Sequence, residues 1–96
     1  MKRSQAGPGL TVLVSAFAED GRLIEEREIF VHDYYDGDQP LIDSSEYRAE
    51  RGIAKVEGRI YGPSGAVDQE FTIRYGADGE RIGGRTVFAD GTVNED

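Results

Sequence analysis

From Leu10 to Ala18 the chain alternates, with Leu10, Val12, Val14, Ala16 and Ala18 on one side and Thr11, Leu13, Ser15 and Phe17 on the other. A period of two marks a strand, and since neither side is strongly polar the strand is expected inside its sheet. Asp20-Gly21 follows. Asp-Gly between apolar runs predicts a hairpin with a type I′ turn, whose central residues both need positive φ. The next run, 22–35, changes phase: Leu23 and Ile24 are adjacent, 25–28 is wholly charged, and Ile29-Phe30-Val31 is wholly apolar. One straight strand cannot place both apolar clusters on one face, so a bulge or sharp twist is expected near Glu26–Glu28. A helix over Leu23–Phe30 competes, but the β-branched and aromatic residues from Ile29 onward favour a strand.

Between Asp36 and Gly52 the period disappears. Asp36-Gly37-Asp38-Gln39-Pro40 is turn chemistry, and Asp43-Ser44-Ser45-Glu46 offers a Ser cap with carboxylates in a first helical turn. A short helical or irregular insertion over 40–51, closed by Gly52, is expected. Period two then returns. Ala54, Val56, Gly58 and Ile60 form one face of a strand; Val67, Phe71, Ile73 and Tyr75 form one face of the next. A weaker run over 80–89 contains Gly83-Gly84, which suggests a bulge or a close backbone approach. Turn glycines at 21, 65, 79 and 91 are each followed by strand-like sequence.

These elements predict one all-β domain: an antiparallel meander of five or six strands forming a curled sheet, small barrel or sandwich. The expected organisation is a flexible arm over 1–9, the domain over 10–93 and an acidic tail over 94–96. The recurring Asp-Gly turns resemble those of bacterial toxin-associated β-repeat proteins. The shared feature is a turn common to antiparallel sheets, so it implies no family. A single apolar sheet face needs a cover, from the 36–52 segment, from barrel closure or from a second subunit.

Composition supports a thin core. Leu, Ile, Val and Phe supply 22 of the 96 residues, just above the roughly 20% level below which disorder is expected. No run approaches the ~18 apolar residues of a membrane span. Lys2 and Arg3 before Leu10–Ala18 have the look of a secretory leader, but Gly7-Pro8-Gly9 intervenes and Thr11 and Ser15 interrupt the run. A strand and a cytoplasmic location are expected instead. With no Cys and one His, disulfides, thiolate chemistry and multi-histidine metal cages are excluded.

Charge changes the picture most. The net charge is −8, which argues against a general nucleic-acid binder. Between Glu19 and Glu50 stand eleven carboxylates against three arginines, so this third of the chain carries the whole surplus. The stretch 33–46 holds five carboxylates, no base and the pair Tyr34-Tyr35. Such a region is either a solvated face or a docking surface for a basic partner, in which carboxylates steer the encounter and rings anchor it. The docking reading makes Tyr34, Tyr35, Asp36, Asp38, Glu46 and Tyr47 the contact residues. It implies a non-enzymatic inhibitor or antagonist of a basic protein, a nucleic-acid-handling one included, since an acidic surface can mimic a nucleic acid. Small phage-encoded anti-defence proteins and toxin-neutralising proteins are the physical analogues.

Two alternatives accompany it. One is a structural protein that homo-oligomerises, as a homodimer or larger, through its sheet. The other is a weak divalent-metal site at Asp36, Asp38, Asp43 and Glu46, although Pro40, Leu41 and Tyr47 break the EF-hand pattern. No cofactor is implied. His32-Asp33 is the one acid–base pair in sequence, but adjacent strand residues face opposite ways. Glu26 and Glu28 share a strand face without an evident cleft, and the glycines over 79–84 lack the Lys-Ser/Thr and helix of a phosphate loop. Arg59, Arg74, Arg81 and Arg85 form a basic stripe if their strands align, or pair with Glu57, Asp68, Glu70 and Glu80 across strands.

Overall fold

The computed structural model describes residues 11–30, 37, 39–62 and 64–95. Six strands are arranged in one antiparallel sheet: β1 (Thr11–Phe17), β2 (Leu23–Phe30), β3 (Lys55–Tyr61), β4 (Val67–Tyr75), β5 (Arg81–Phe88) and β6 (Val93–Glu95). Two short helices lie between β2 and β3: α1 (Pro40–Asp43) and α2 (Ser45–Arg51). The spatial order is β2-β1-β3-β4-β5-β6. The tight turns among the described residues join neighbours, and the long β2–β3 connection carries the chain past β1, so β1 is an interior strand and β2 is an edge among the described strands.

The four tight turns share one geometry. In Ala18–Arg22, 62–66, 76–80 and 88–92 the first residue donates to the carbonyl of the fifth, and the glycine in fourth place donates back to the first. Only that glycine has positive φ, +82° to +91°. Asp20, Asp78 and Asp90 each accept from the main-chain N–H two residues on, and Ser64 does the same for Ala66. These are three-residue loops, a type I turn followed by a left-handed glycine. The type I′ expectation at Asp20-Gly21 is therefore corrected. Asp20 satisfies the local N–H of Arg22 in an Asx arrangement and does not enter the left-handed region.

The phase changes sit beside these turns. In β2 the irregularity falls where Phe17 pairs with Leu23 and Ala16 with Glu25. The extra residue is Ile24, not one of Glu26–Glu28 as expected. Placed there, it lets the charged run alternate undisturbed, Glu25 and Arg27 toward the helices and Glu26 and Glu28 away. Asp68 is similarly skipped in β4, and Val67 beyond it is exposed rather than on the Phe71 face. In β5 the skipped residue is Ile82, next to Gly83-Gly84. The end of the chain, expected as tail from 94, pairs with β5 through residue 95 because the last turn folds it back.

The helices supply the cover for the sheet. Val12, Val14, Ala16, Val56, Ile60 and Phe71 are buried on one face, together with Leu41 of the insertion and Ile53 beyond it. Gly58 lies within this face, and a Cβ there would stand 2.1 Å from the Phe71 ring, so the ring occupies the place of a side chain. As its sequence implies, Ser44 caps α2 by accepting from Tyr47 N–H, and Gly52 closes it at φ +70°. Gln39 caps α1, with Pro40 at the first helical position.

Candidate functional site

Alternation along β2 sorts its charges into two environments. On the helix side the Tyr47 hydroxyl donates to the Glu25 carboxylate, 3.0 Å from each oxygen, and accepts from Arg27 Nη2 at 2.9 Å. Arg27 is paired with Glu25 and reaches Gln39 Oε1. The Arg51 guanidinium lies 3.6 Å from the centre of the Tyr47 ring. This network fastens α2 over the edge strand. Tyr47 is half-buried and its polar tip is engaged; Glu46 is exposed on the first turn of the same helix.

The other sheet face carries the outward side chains. Leu13 and Ser15 of β1 are flanked by Glu28 and Glu26 of β2 and by Arg59 and Glu57 of β3. The short side chains on β1 leave an open furrow of about 300 Å³ whose lining includes Ser15, Glu26, Glu57, Arg59 and Glu70. Ser15 Oγ donates to Glu26 at 3.1 Å. Glu57 pairs with Lys55 at 3.1 Å and Glu70 with Arg59 at 3.1 Å. Farther across, Arg85 pairs with Glu95. Acid thus predominates on this face at the β2 side, while β3 to β6 carry both signs in cross-strand pairs of the kind worth ~0.2–1 kcal/mol each.

Arg59, Arg74 and Arg85 share the furrow face but stand in different cross-strand rows, opposite Glu70, Lys55 and Thr72. They do not align as the stripe reading requires, and Arg59 pairs with Glu70 instead. Arg81 is not on this face. The register shift at Ile82 sends its guanidinium over Gly84, where a Cβ would stand 2.4 Å from Nη2, on the helix side of the sheet. Of the other expected contact residues, Tyr34, Tyr35, Asp36 and Asp38 lie outside the described residues, as do His32 and Asp33. Asp43 Oδ2 accepts from Gln39 N–H at 3.2 Å, a helix-start contact. Among the described residues no three of His, Asp and Glu are grouped to hold a metal ion, and no helix is long and apolar enough to cross a membrane.

Sequence reasoning missed the furrow. Its signal was present as alternation, Glu26 and Glu28 in one strand and Glu57 and Arg59 in another. Only the β1–β2 and β1–β3 registers place these residues on either side of Ser15. Comparison with family models, curated proteins and solved structures finds no match to the chain.

Proposed function

We propose that this protein is a non-enzymatic acidic binding module that antagonises a basic, nucleic-acid-handling protein, in the manner of an anti-defence or toxin-neutralising protein of a phage or bacterium. The observation that carries the reading is the furrow over Ser15, where Glu26 and Glu57 stand on opposite sides of a hydroxyl at the acidic side of an open sheet face. A partner's Lys or Arg entering there meets two carboxylates and a hydroxyl acceptor together. Surplus acid around the entrance raises the encounter rate and rejects acidic competitors. The cytoplasm is the proposed place of action.

Self-assembly through the sheet is the second reading. Its supporting observation is that Leu23 and Phe30 on β2 and Val93 on β6 are exposed on the two edge strands. Affinity capture from native lysate separates the two. The parent is expected to retain basic proteins at about 0.05 M salt and release them near 0.5 M, where the field is screened within about 4 Å. A Glu26→Lys, Glu57→Lys variant with an unchanged melting curve is expected to retain none of them. Equal retention by the variant contradicts the proposal.

A further inference from the structure

Between α2 and the β4–β5 turn the fold leaves two buried polar groups unsatisfied. Arg48 and Tyr75 are each 6% exposed, and the guanidinium lies 4.0 Å from the centre of the phenol ring. Nε and Nη1 of Arg48 give their three N–H groups to the carbonyls of Gly79, Leu41 and Ile42. Among the described residues Nη2 meets no acceptor, the Tyr75 hydroxyl makes no hydrogen bond, and no carboxylate pairs with the guanidinium. Buried polar groups without partners are uncommon, and carbonyls or water solvate a buried cation without neutralising it. Both residues line an open cavity of about 370 Å³. Its apolar lining includes the buried Ile53 and the exposed Ala77 and Ile82. Among the described lining residues the exposed Glu19 supplies the only carboxylate.

We infer that this cavity binds a small organic monocarboxylate with a compact apolar body, whose carboxylate takes Arg48 Nη2 and the Tyr75 hydroxyl as donors. The site is independent of the furrow, and its ligand has the opposite sign. Bonds from a guanidinium to a carboxylate are charge-assisted, and here they supply the counter-ion that the fold does not. Burial raises the Tyr75 phenol above its ordinary value, so it keeps its proton and donates at neutral pH. The apolar body covers Ala77 and Ile82 and gains their surface. The volume is near the lower end of the range for ligand pockets, about 300–1,000 Å³, which sets the compact body. Glu19 repels a second anionic group, and hence diacids. A chain of net charge −8 repels anions at large, so affinity for one is a local property of this guanidinium.

The test follows the amide NMR spectrum of the whole protein during titration with benzoate, benzyl alcohol and isophthalate. Benzoate is expected to give saturable shifts at the Ile53, Ala77 and Ile82 amides. Benzyl alcohol, without the charge, and isophthalate, with a second one, are expected to bind at least about tenfold more weakly. Arg48→Met removes the stacked cation together with its carbonyl bonds, so the deciding variant is Tyr75→Phe, which deletes a hydroxyl that the fold does not use. It is expected to melt like the parent at neutral pH and to bind benzoate about threefold or more weakly. Equal affinity for benzoate and either comparison compound overturns the proposal, as does unchanged benzoate affinity in Tyr75→Phe. Melting of Tyr75→Phe well below the parent places the hydroxyl in the fold and overturns it too. Absent shifts, or shifts scattered over the sheet, mean an adventitious additive only and overturn it as well.

Discussion

Arg48 Nε donates to the main-chain carbonyl of Gly79 at 3.0 Å, across 31 positions of sequence. Its Nη1 donates to the carbonyls of Leu41 and Ile42 at 3.1 and 2.6 Å, and the guanidinium lies 4.0 Å from the centre of the Tyr75 ring. One buried cation thus ties α1, α2 and the β4–β5 turn together. Replacing Arg48 by Met leaves three carbonyls without this donor, those of Gly79 and Leu41 buried and that of Ile42 half-buried. The expected loss is about 2–4 kcal/mol, read from urea unfolding. Lys, a point charge without the planar fork, is expected to recover less than half of it. Full recovery by Lys contradicts the clamp.

Gly79 is held on two counts and Gly91 on one. Both have positive φ, but a Cβ on Gly79 would stand 2.0 Å from Ser45 O, whereas nothing lies within 4 Å of one on Gly91. Gly91→Ala is expected to cost about 1–2 kcal/mol, the left-handed penalty alone. Gly79→Ala is expected to cost at least about 1 kcal/mol more, since α2 must move. Equal melting points for the two variants contradict the docking of α2 on this turn.

Much of this frame was legible in the sequence. The β1 alternation, the Ser44 cap, the Gly52 stop and the turn glycines each act within a few residues, so local chemistry decides them. The turn type was not legible, because Asp-Gly suits both a two-residue and a three-residue loop, and the choice depends on where the strands pair. The phase of β2 failed for a related reason: Ile24 is skipped beside the turn, which no local preference announces. The burial of Arg48 was also hidden. A helical Arg reads as solvent-facing until the β4–β5 turn is known to supply a carbonyl over it.

Tyr47→Phe is expected to act on stability more than on capture. It removes the hydroxyl shared by Glu25 and Arg27, for a loss of about 1–2 kcal/mol. At temperatures where both forms are folded, retention of a basic partner is expected to match the parent. Loss of capture without loss of stability would make Tyr47 a contact residue in its own right.

Burial holds the Tyr75 phenol above its ordinary value, with the nearby Arg48 and Arg81 charges opposing the shift. A group raised in the folded state stabilises fully below its unfolded value, about 10 for tyrosine, and that contribution is lost as pH rises through the folded value. The melting temperature is therefore expected to fall as pH passes about 10, with a shallower fall in Tyr75→Phe. Identical alkaline profiles contradict the assignment.

The central claim is that carboxylates at the β2 side of the sheet govern capture of a basic partner. It is tested most directly by the association rate of a captured partner, measured by stopped flow between about 0.02 and 0.3 M salt. For the parent the rate is expected to fall at least about tenfold over that range. In Glu26→Lys, Glu28→Lys it is expected to begin low and change little. A parent rate indifferent to salt, or a variant that follows the parent curve, contradicts the account.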